Sequence, residues 1–193
     1  MSRHDLVKSI IQPIKNGIFV EIGTHTGDFA DFILGNSKDS VLYCVDPYLS
    51  YSDYNDAINN VTGDSLYNGT YHRLKSAYGD RVIFVRKLSA DAVKYIPNDI
   101  DFLYIDGNHQ SAYVRNDLEL YYPKVKAGCT IIGDDAIDVD ESLRNENGDV
   151  RVDWSPGSYG HYGVIKAFRE FASSKNITGT ITGTQYQLQK PLH

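Results

Sequence analysis

The sequence predicts an α/β fold in which a doubly wound, mostly parallel sheet ends in an antiparallel hairpin. Short apolar runs that show little alternation recur along the chain, as expected of strands buried on both faces of a parallel sheet. Segments with helical spacing lie between these runs, so strands and helices alternate. The C-terminal segment ITGTITGTQYQLQK breaks this order, because its alternating β-branched residues and its Gly-Thr turn signal favour a hairpin.

The individual elements follow from these patterns in chain order. Five apolar runs have the length and composition of buried strands: Ile18–Ile22, Val41–Val45, Val82–Val85, Phe102–Ile105 and Thr130–Ile132. Apolar residues recur at helical spacing over roughly Leu6–Ile14, Phe29–Leu34, Ala90–Ile96, Ala112–Tyr122 and Val164–Ala172. The chain has 193 residues, no internal repeat and no low-complexity linker, so we expect a single domain over residues 1–193.

Two connections are longer than is usual in a compact domain. One covers residues 48–67, after the second predicted strand, and the other covers residues 136–159, after the fifth. Long connections usually form lids or disordered segments. Both follow the C-terminal ends of strands, where open α/β sheets bind ligands. We therefore expect the binding site at this edge of the sheet.

Composition and charge limit the classes of partner. The formal net charge is -6, which argues against a broad surface for nucleic acid or for an anionic membrane. No apolar run is long enough to span a bilayer, and the N-terminal segment MSRHDLVKSIIQPIK is amphipathic without the apolar core of a signal peptide. We therefore expect a cytoplasmic protein that binds neither nucleic acid nor membrane. A homo-oligomer is compatible with these observations.

A loop with the spacing Gly-x-x-x-Gly follows the first predicted strand, in the segment FVEIGTHTGDFA. It differs from the dinucleotide-binding pattern Gly-x-Gly-x-x-Gly because the middle glycine, which lets the backbone approach a pyrophosphate, is missing. No Gly-Lys-Ser/Thr follows the loop, so it is not a P-loop. About 20 residues later the second strand ends in Asp46, where an acidic residue can accept hydrogen bonds from both ribose hydroxyls.

Three aspartates follow two other predicted strands. Asp106 ends the fourth strand, and Asp134 and Asp135 end the fifth. Adjacent strands of a sheet lie roughly 5 Å apart, so these carboxylates can converge on one hard cation such as Mg²⁺. Without a positive charge between them they would repel one another. The alternative is that Asp134 and Asp135 cap a following turn.

These segments resemble motifs of the class I S-adenosylmethionine (SAM) methyltransferases. The acidic residue with the Gly-x-x-x-Gly loop and the strand ending in VDPY match the family's cofactor motifs, and SAD after the third strand matches its adenine-edge segment. The resemblance implies a Rossmann-like, seven-stranded sheet and SAM as the cofactor. It implies cofactor binding by Glu21, Gly23, Thr24, His25, Gly27, Asp46, Pro47, Tyr48, Ser89, Ala90 and Asp106. For Ser89, a plain helix N-cap is the open alternative.

The run from Asp106 to Asp135 resembles the metal-dependent small-molecule O-methyltransferases, of the catechol type and of the macrocin and novobiocin sugar type. Their pattern DG…Y…L…LYP…GG…DD is matched at Asp106, Gly107, Tyr113, Leu118, Leu120–Pro123, Gly128, Asp134 and Asp135, with Cys129 where a second glycine is common. The resemblance implies that Asp106, Asp134 and Asp135 carry Mg²⁺ or another divalent cation. Asn108 stands where the sugar enzymes have an acidic residue, and His109 where the catechol type has a lysine.

The resemblance implies a Mg²⁺-dependent SAM O-methyltransferase that acts on a small polyhydroxylated acceptor such as a sugar. The cation would orient the acceptor hydroxyl and lower its pKa, and a base would remove the proton. His109, beside Asp106, is the candidate base and His161 is the second candidate, with a capping or loop histidine as the alternative for each. Two other functions stay open: a metal-independent methyltransferase acting on a phenol or an amine, and a module that binds SAM or adenosine without turnover.

Overall fold

The computed structural model describes residues 1–50, 61–137, 149–155 and 158–192. The strands are β1 (Ile18–Ile22), β2 (Val41–Val45), β3 (Val82–Val85), β4 (Ile100–Ile105), β5 (Val125–Gly133), β6 (Val150–Ser155), β7 (Ser158–Tyr162), β8 (Gly179–Thr182) and β9 (Gln185–Gln189). The α-helices are α1 (Arg3–Ile11), α2 (Asp28–Asn36), α3 (Asp64–Tyr78), α4 (Ser89–Ala92), α5 (Ser111–Tyr121) and α6 (Val164–Lys175).

Seven of the strands form one sheet in the order β3-β2-β1-β4-β5-β9-β8, and β6 pairs with β7. Strands β1 to β5 run parallel, whereas β9 is antiparallel to both β5 and β8. One apolar cluster joins the sheet to α1, α2 and α3, and another joins it to α4, α5 and α6. The predicted fold class, with its C-terminal hairpin, is therefore confirmed.

The sheet changes its direction of winding at β1. This strand pairs with β2 on one side and with β4 on the other, so the crossovers on its two sides run in opposite directions across the sheet. In open α/β sheets ligands bind at such a point, outside the carboxyl ends of the strands. The residues that follow β1, β2, β4 and β5 therefore share one edge of the molecule.

The strand patterns located β1, β2 and β3 at their observed ends, but β4 and β5 begin earlier than predicted. The structure extends these two strands back to Ile100 and Val125, which pair with each other. Asp101 and Lys126 follow these two residues, and an ion pair of 2.7 Å joins their side chains. Polar residues within a strand interrupt its apolar run, so the two predicted strands began after these polar residues, whereas the observed strands begin before them.

Two elements escaped the sequence patterns: helix α3 and the β6-β7 hairpin. Helix α3 has 15 residues, of which only Thr70 and Leu74 are buried, and Gly69 lies in its middle, so its apolar stripe is too narrow to detect. The hairpin begins within the predicted connection 136–159 and ends beyond it, at Tyr162, while residues 51–60 of the other predicted connection lie outside the described residues. The five predicted helical segments are present with ends displaced by a few residues. None of the described helices is long and apolar enough to cross a membrane.

Candidate active site

Two adjoining clefts lie at the C-terminal ends of the parallel strands. The first cleft holds about 750 Å³ of empty space, open solvent included, between the ends of β1, β2 and β4 and the helices α4 and α5. The second cleft holds about 840 Å³ on the same measure and lies over the ends of β4 and β5. Gly23, His25, Asp106 and Gly107 line both clefts, so the two spaces meet at these residues.

The loop after β1 needs its glycines because of neighbouring elements of the chain. Gly23 has φ +91, and a side chain there would overlap the backbone of Asp106. Gly27 has φ +74, and a Cβ atom there would come within 2.7 Å of Thr70 and 2.8 Å of Leu74 on α3. A left-handed backbone without a side chain is therefore required at both positions. The loop is shaped by packing before any ligand binds.

Asp46, at the end of β2, fixes this loop by accepting backbone hydrogen bonds. Its Oδ2 atom accepts the His25 N–H at 2.8 Å, and its Oδ1 atom accepts the Tyr48 N–H at 2.7 Å. Burial raises the pKa of Asp46, although these two hydrogen bonds act to lower it. The Tyr48 hydroxyl donates to the His25 carbonyl at 3.0 Å, which ties the ends of β1 and β2 together.

Glu21 lies beneath the loop and is only 1% exposed. Its Oε2 atom has no hydrogen-bond partner among the described residues. Burial, with the nearby charges of Asp106 and Asp46, raises the pKa of Glu21 to about 8. The carboxyl group therefore keeps its proton over most of the neutral range.

Asp106, His109 and Asp135 form a cluster in the second cleft that could hold a metal ion. Each offers one ligand atom, and the three atoms lie within 4.8 Å of one another. The Nε2 atom of His109 lies 3.3 Å from Oδ1 of Asp106 and 3.4 Å from Oδ2 of Asp135. Burial raises the pKa of Asp106 to about 6, while the hydrogen bond with His109 acts to lower it. The ring of His109 stacks on Tyr162 with centroids 4.8 Å apart.

Asp134 is placed differently from the prediction, which made it a metal ligand. It is 3% exposed and is engaged by protein donors at both oxygens. Arg3 Nη1 at 2.5 Å and the Tyr104 hydroxyl at 2.7 Å donate to Oδ2, while Gln185 Nε2 at 2.5 Å and the Asp135 N–H at 2.8 Å donate to Oδ1. Burial alone would raise the pKa of Asp134, but the hydrogen bonds from Arg3 and Tyr104 lower it. Asp134 thus holds an arginine and the turn after β5.

Arg3 is a residue of this site that sequence reasoning missed. It lies in the first turn of α1 and lines the second cleft. Its Nη1 atom also lies 3.8 Å from Asp106, and its guanidinium group lies over the Phe29 ring at 4.6 Å. The sequence carries no local signal for this contact, because 131 residues separate Arg3 from Asp134.

Two unpartnered polar atoms line the first cleft on the side of α5. Asp117 is 4% exposed and its Oδ1 atom has no hydrogen-bond partner among the described residues. Burial raises the pKa of Asp117 to about 7, and the nearby Ser89 side chain acts to lower it. Asn108 accepts the Gln110 N–H at 3.0 Å through Oδ1, which leaves its Nδ2 atom unpartnered in the described structure.

Helix α4 begins at Ser89 with Leu88 as its N-cap, so the N-cap alternative for Ser89 is wrong.

The structure brings most of the predicted site residues to these clefts. Of the predicted cofactor-binding residues, Gly23, His25, Asp46, Pro47, Ser89 and Asp106 line the first cleft, and Thr24 lines the second. Glu21, Gly27, Tyr48 and Ala90 do not line either described cleft, and the side chain of His161 lies outside the described part of the chain. Of the residues that the prediction missed, Asp117 had a signal: it is an acid on the buried stripe Val114, Asp117, Leu118 and Tyr121.

A family model described as a methyltransferase domain matches residues 20–136. A curated relative, an uncharacterised protein of Acanthamoeba polyphaga mimivirus, is 32% identical over 117 residues, which make up 61% of this chain and 50% of the relative. The match therefore spans about half the length of that relative.

Solved structures share the fold at low sequence identity. The O-methyltransferase NovP is 18% identical with a TM-score of 0.69, over 98% of this chain and 79% of NovP. A Staphylococcus aureus protein assigned as a caffeoyl-CoA O-methyltransferase is 14% identical with a TM-score of 0.65, over 98% and 84% of the two chains. An rRNA methylase of Streptococcus thermophilus is 12% identical with a TM-score of 0.60, over 97% and 93%.

Proposed function

The chain belongs to the methyltransferase-domain family, and from this premise we propose that it is a SAM-dependent enzyme that transfers the methyl group to a hydroxyl of a small polyhydroxylated acceptor, such as a sugar, with the help of a divalent cation. The cluster of Asp106, His109 and Asp135 carries this proposal. The cluster lies in the second cleft, and one of its members, Asp106, is among the residues that line both clefts.

The donor atoms of the cluster fit a divalent cation. Two carboxylate oxygens and one imidazole nitrogen lie within 4.8 Å of one another, which is close enough for one ion to contact all three. Carboxylates suit Mg²⁺ and Mn²⁺, and an imidazole nitrogen shifts the preference toward Mn²⁺ and other transition metals. A bound cation would orient the acceptor hydroxyl and lower its pKa. The ligand set that we propose therefore replaces Asp134 with His109.

The loop after β1 and the end of β2 fit the cofactor. SAM supplies a methyl group on a sulfonium centre, which is a good electrophile without further activation. Gly23 and His25 line the place where the two clefts meet, and Asp46 reaches the first cleft from the end of β2. These residues bind and orient the cofactor, and the protein's main contribution to rate is alignment of the two reactants.

His109 can serve the cation or act as a base, but not both through the same atom. Its Nε2 atom is the one that faces Asp106 and Asp135. A nitrogen that ligates a cation has no lone pair left to take a proton. Asn108 carries an amide and cannot act as the base. We assign His109 to the cation.

The charges of the second cleft favour a neutral acceptor. Asp28, Asp106, Asp134 and Asp135 line it, against the single guanidinium of Arg3. Carboxylates repel phosphate groups, which argues against an RNA acceptor at this cleft. The fold is nevertheless shared with an rRNA methylase, so the absence of a nucleic-acid partner stays a prediction. The alternative acceptors, a phenol or an amine, also fit an acidic cleft that Phe29 lines.

The test is methyl transfer from SAM by protein that has been treated with a chelator. Sugars, catechols, amines and a short RNA are offered as acceptors, first without a cation and then with Mg²⁺ or Mn²⁺. We expect a polyhydroxylated acceptor to be methylated only after a cation is added. Full turnover in the presence of the chelator would contradict the role of the cation, and methylation of RNA alone would contradict the acceptor.

A variant of the cluster separates the ligand role from the base role. His109→Gln is expected to weaken Mn²⁺ binding in a calorimetric titration and to lower turnover at least about a hundredfold. The matched control is His72→Gln, because His72 is an exposed histidine on α3 and should change neither. Unchanged Mn²⁺ affinity with lost turnover would assign His109 to the base instead.

A further inference from the structure

Asp117 carries a buried carboxyl group that has no role in the proposed methyl transfer. It lies on the apolar stripe of α5, is 4% exposed, and lines the first cleft. A carboxylate offers about four lone-pair sites to hydrogen-bond donors. The Oδ1 atom of Asp117 has no partner among the described residues. A buried acceptor without a donor is rare in native proteins and indicates a missing partner.

The place of Asp117 along the cleft indicates which part of the cofactor it meets. The transferred methyl group must lie where the first cleft meets the second, beside Gly23 and Asp106. Pro47 and Ser89 follow β2 and β3, which lie across β1 from the ends of β4 and β5, and Asp117 lies beside Ser89, so these three residues line the end of the first cleft that is remote from the second. The far end of a bound SAM molecule is its adenine.

The walls at this end suit a planar base with polar edges. Val45, Pro47 and Leu49 supply apolar surface. Asn108 Nδ2 is an unpartnered donor in the described structure and lines the same cleft. The first cleft therefore presents one unpartnered acceptor, on Asp117, and one unpartnered donor. Adenosine carries both counterparts, since its exocyclic amine donates and its ring nitrogens and ribose oxygens accept.

We propose that Oδ1 of Asp117 accepts a hydrogen bond from the exocyclic amine of the cofactor's adenine and thereby determines which nucleobase the enzyme accepts. This inference rests on the SAM dependence of the proposed function. Ser89 lines the same cleft and would act through Asp117, because its side chain lies close enough to lower the pKa of that carboxyl group. Tyr121 supports the same arrangement by donating to the Ser89 carbonyl at 2.8 Å.

The nature of the base is the variable that tests the proposal. Hypoxanthine carries a carbonyl oxygen where adenine carries the amine, so it places an acceptor against the acceptor of Asp117. Calorimetric binding of S-adenosylhomocysteine is compared with that of S-inosylhomocysteine. We expect the wild-type protein to bind the inosyl compound about ten- to a hundredfold more weakly. Equal binding of the two compounds by the wild-type protein would overturn the proposal without any variant.

Asp117→Asn assigns that preference to this residue, because an amide can turn its NH₂ group toward a carbonyl oxygen. The preference for the adenosyl compound should fall to within about threefold in this variant. Glu119→Gln is the matched control: it is the same kind of change on the same helix, at a residue paired with Arg115 and Lys175, and it should keep the wild-type ratio. A folded Asp117→Asn protein that keeps the wild-type ratio would overturn the proposal.

The outcomes also separate this inference from the proposed function. If cation-dependent O-methylation is wrong, turnover fails while the nucleobase preference remains. If the Asp117 assignment is wrong, S-adenosylhomocysteine binds but the preference is absent or does not depend on Asp117. Failure of the wild-type protein to bind either compound would overturn SAM dependence and, with it, the proposal.

Discussion

Two buried carboxyl groups on this edge of the sheet are stabilised in opposite ways. Glu21, near the end of β1, is held in its protonated form, since burial raises its pKa to about 8. Asp134, just after β5, is held as an anion, since hydrogen bonds from Arg3 and Tyr104 lower its pKa. Both are almost fully buried, so burial does not explain the difference. The nearby guanidinium group of Arg3 does, because it lies 2.5 Å from Asp134 and compensates the negative charge of that carboxylate.

This difference divides the site into two functional parts. The part near β1 holds Glu21 in its protonated form and is shaped by backbone geometry, which would suit the binding of a cofactor by alignment. The part near β4 and β5 concentrates negative charge around Asp106 and Asp135, with Arg3 and His109 as its partners. Such a concentration of carboxylates is stable only with positive charge beside it, which is what a divalent cation supplies.

The largest expected effect concerns Glu21 and the pH. A carboxyl group with a raised folded-state pKa stabilises the fold below its unfolded pKa and loses that contribution as pH rises through the folded pKa. For Glu21 this window runs from the ordinary glutamate pKa of 4.5 up to about 8. Glu21→Gln removes the titrating group, so the variant does not lose this contribution as the pH rises. The free energy of unfolding of the variant, minus that of the wild type, should therefore rise by on the order of 4 kcal/mol between pH 5 and pH 8.5.

Chemical denaturation at a series of pH values measures this change. The control is Glu170→Gln, which removes an exposed carboxylate from α6 and should leave the pH dependence as in wild type. If the difference in free energy of unfolding between Glu21→Gln and wild type stayed constant with pH, Glu21 would be ionised like Asp134, and the two buried carboxyl groups would not differ.

The next effect in size is expected where the two parts of the site touch. Gly23 has φ +91 and lies against the backbone of Asp106. Gly23→Ala should lower the free energy of unfolding by about 3 kcal/mol, because it adds backbone strain to an overlap that only a backbone shift can relieve. The shift would also move Asp106, so cation binding should weaken although the substitution is outside the cluster.

Gly69→Ala is the control for this substitution. A Cβ atom at Gly69 meets nothing within 4 Å, and the residue lies inside helix α3, so alanine should stabilise the protein by about 0.5–1 kcal/mol. Thermal unfolding and Mn²⁺ titration measure both quantities. If Gly23→Ala destabilised the fold but left the Mn²⁺ affinity unchanged, the two parts of the site would be mechanically independent.

The sequence sufficed for the fold and for the β-strand ends of the site, and it failed where contacts are long-range. A buried strand can be identified from its own apolar run, without knowledge of the strands that pair with it. This is why β1, β2 and β3 were predicted with their observed ends. Asp106 and Asp135 follow strands of one parallel sheet, so their proximity follows from topology. Arg3 comes from a helix at the other end of the chain, and only the packing of α1 places it beside Asp134.

The candidate cation ligands show the same limit at a finer scale. Asp134 and Asp135 are neighbours in sequence, and the pattern treats them alike. The structure separates them, since Asp134 is buried among donors while Asp135 faces His109 at 3.4 Å. Which of two adjacent aspartates faces His109 depends on the backbone after the strand, and Asp135 has φ +52, a left-handed conformation that the sequence did not predict.

The smallest expected effect tests whether Arg3 causes the difference between the two buried carboxyl groups. Arg3→Gln removes the cation and should make Asp134 resemble Glu21. We expect a loss of about 2 kcal/mol in the free energy of unfolding at pH 7, less than for a fully buried pair because the Arg3 side chain is 39% exposed. A carboxyl group with a lowered pKa contributes stability at pH values above its unfolded pKa, so this loss should shrink as the pH falls through the usual aspartate range near 3.8.

Arg169→Gln, at an exposed arginine of α6, should show neither the loss nor its pH dependence. If Arg3→Gln were as stable as wild type, then Tyr104 and Gln185 would suffice to hold Asp134 ionised, and hydrogen bonds rather than the guanidinium charge would distinguish Asp134 from Glu21.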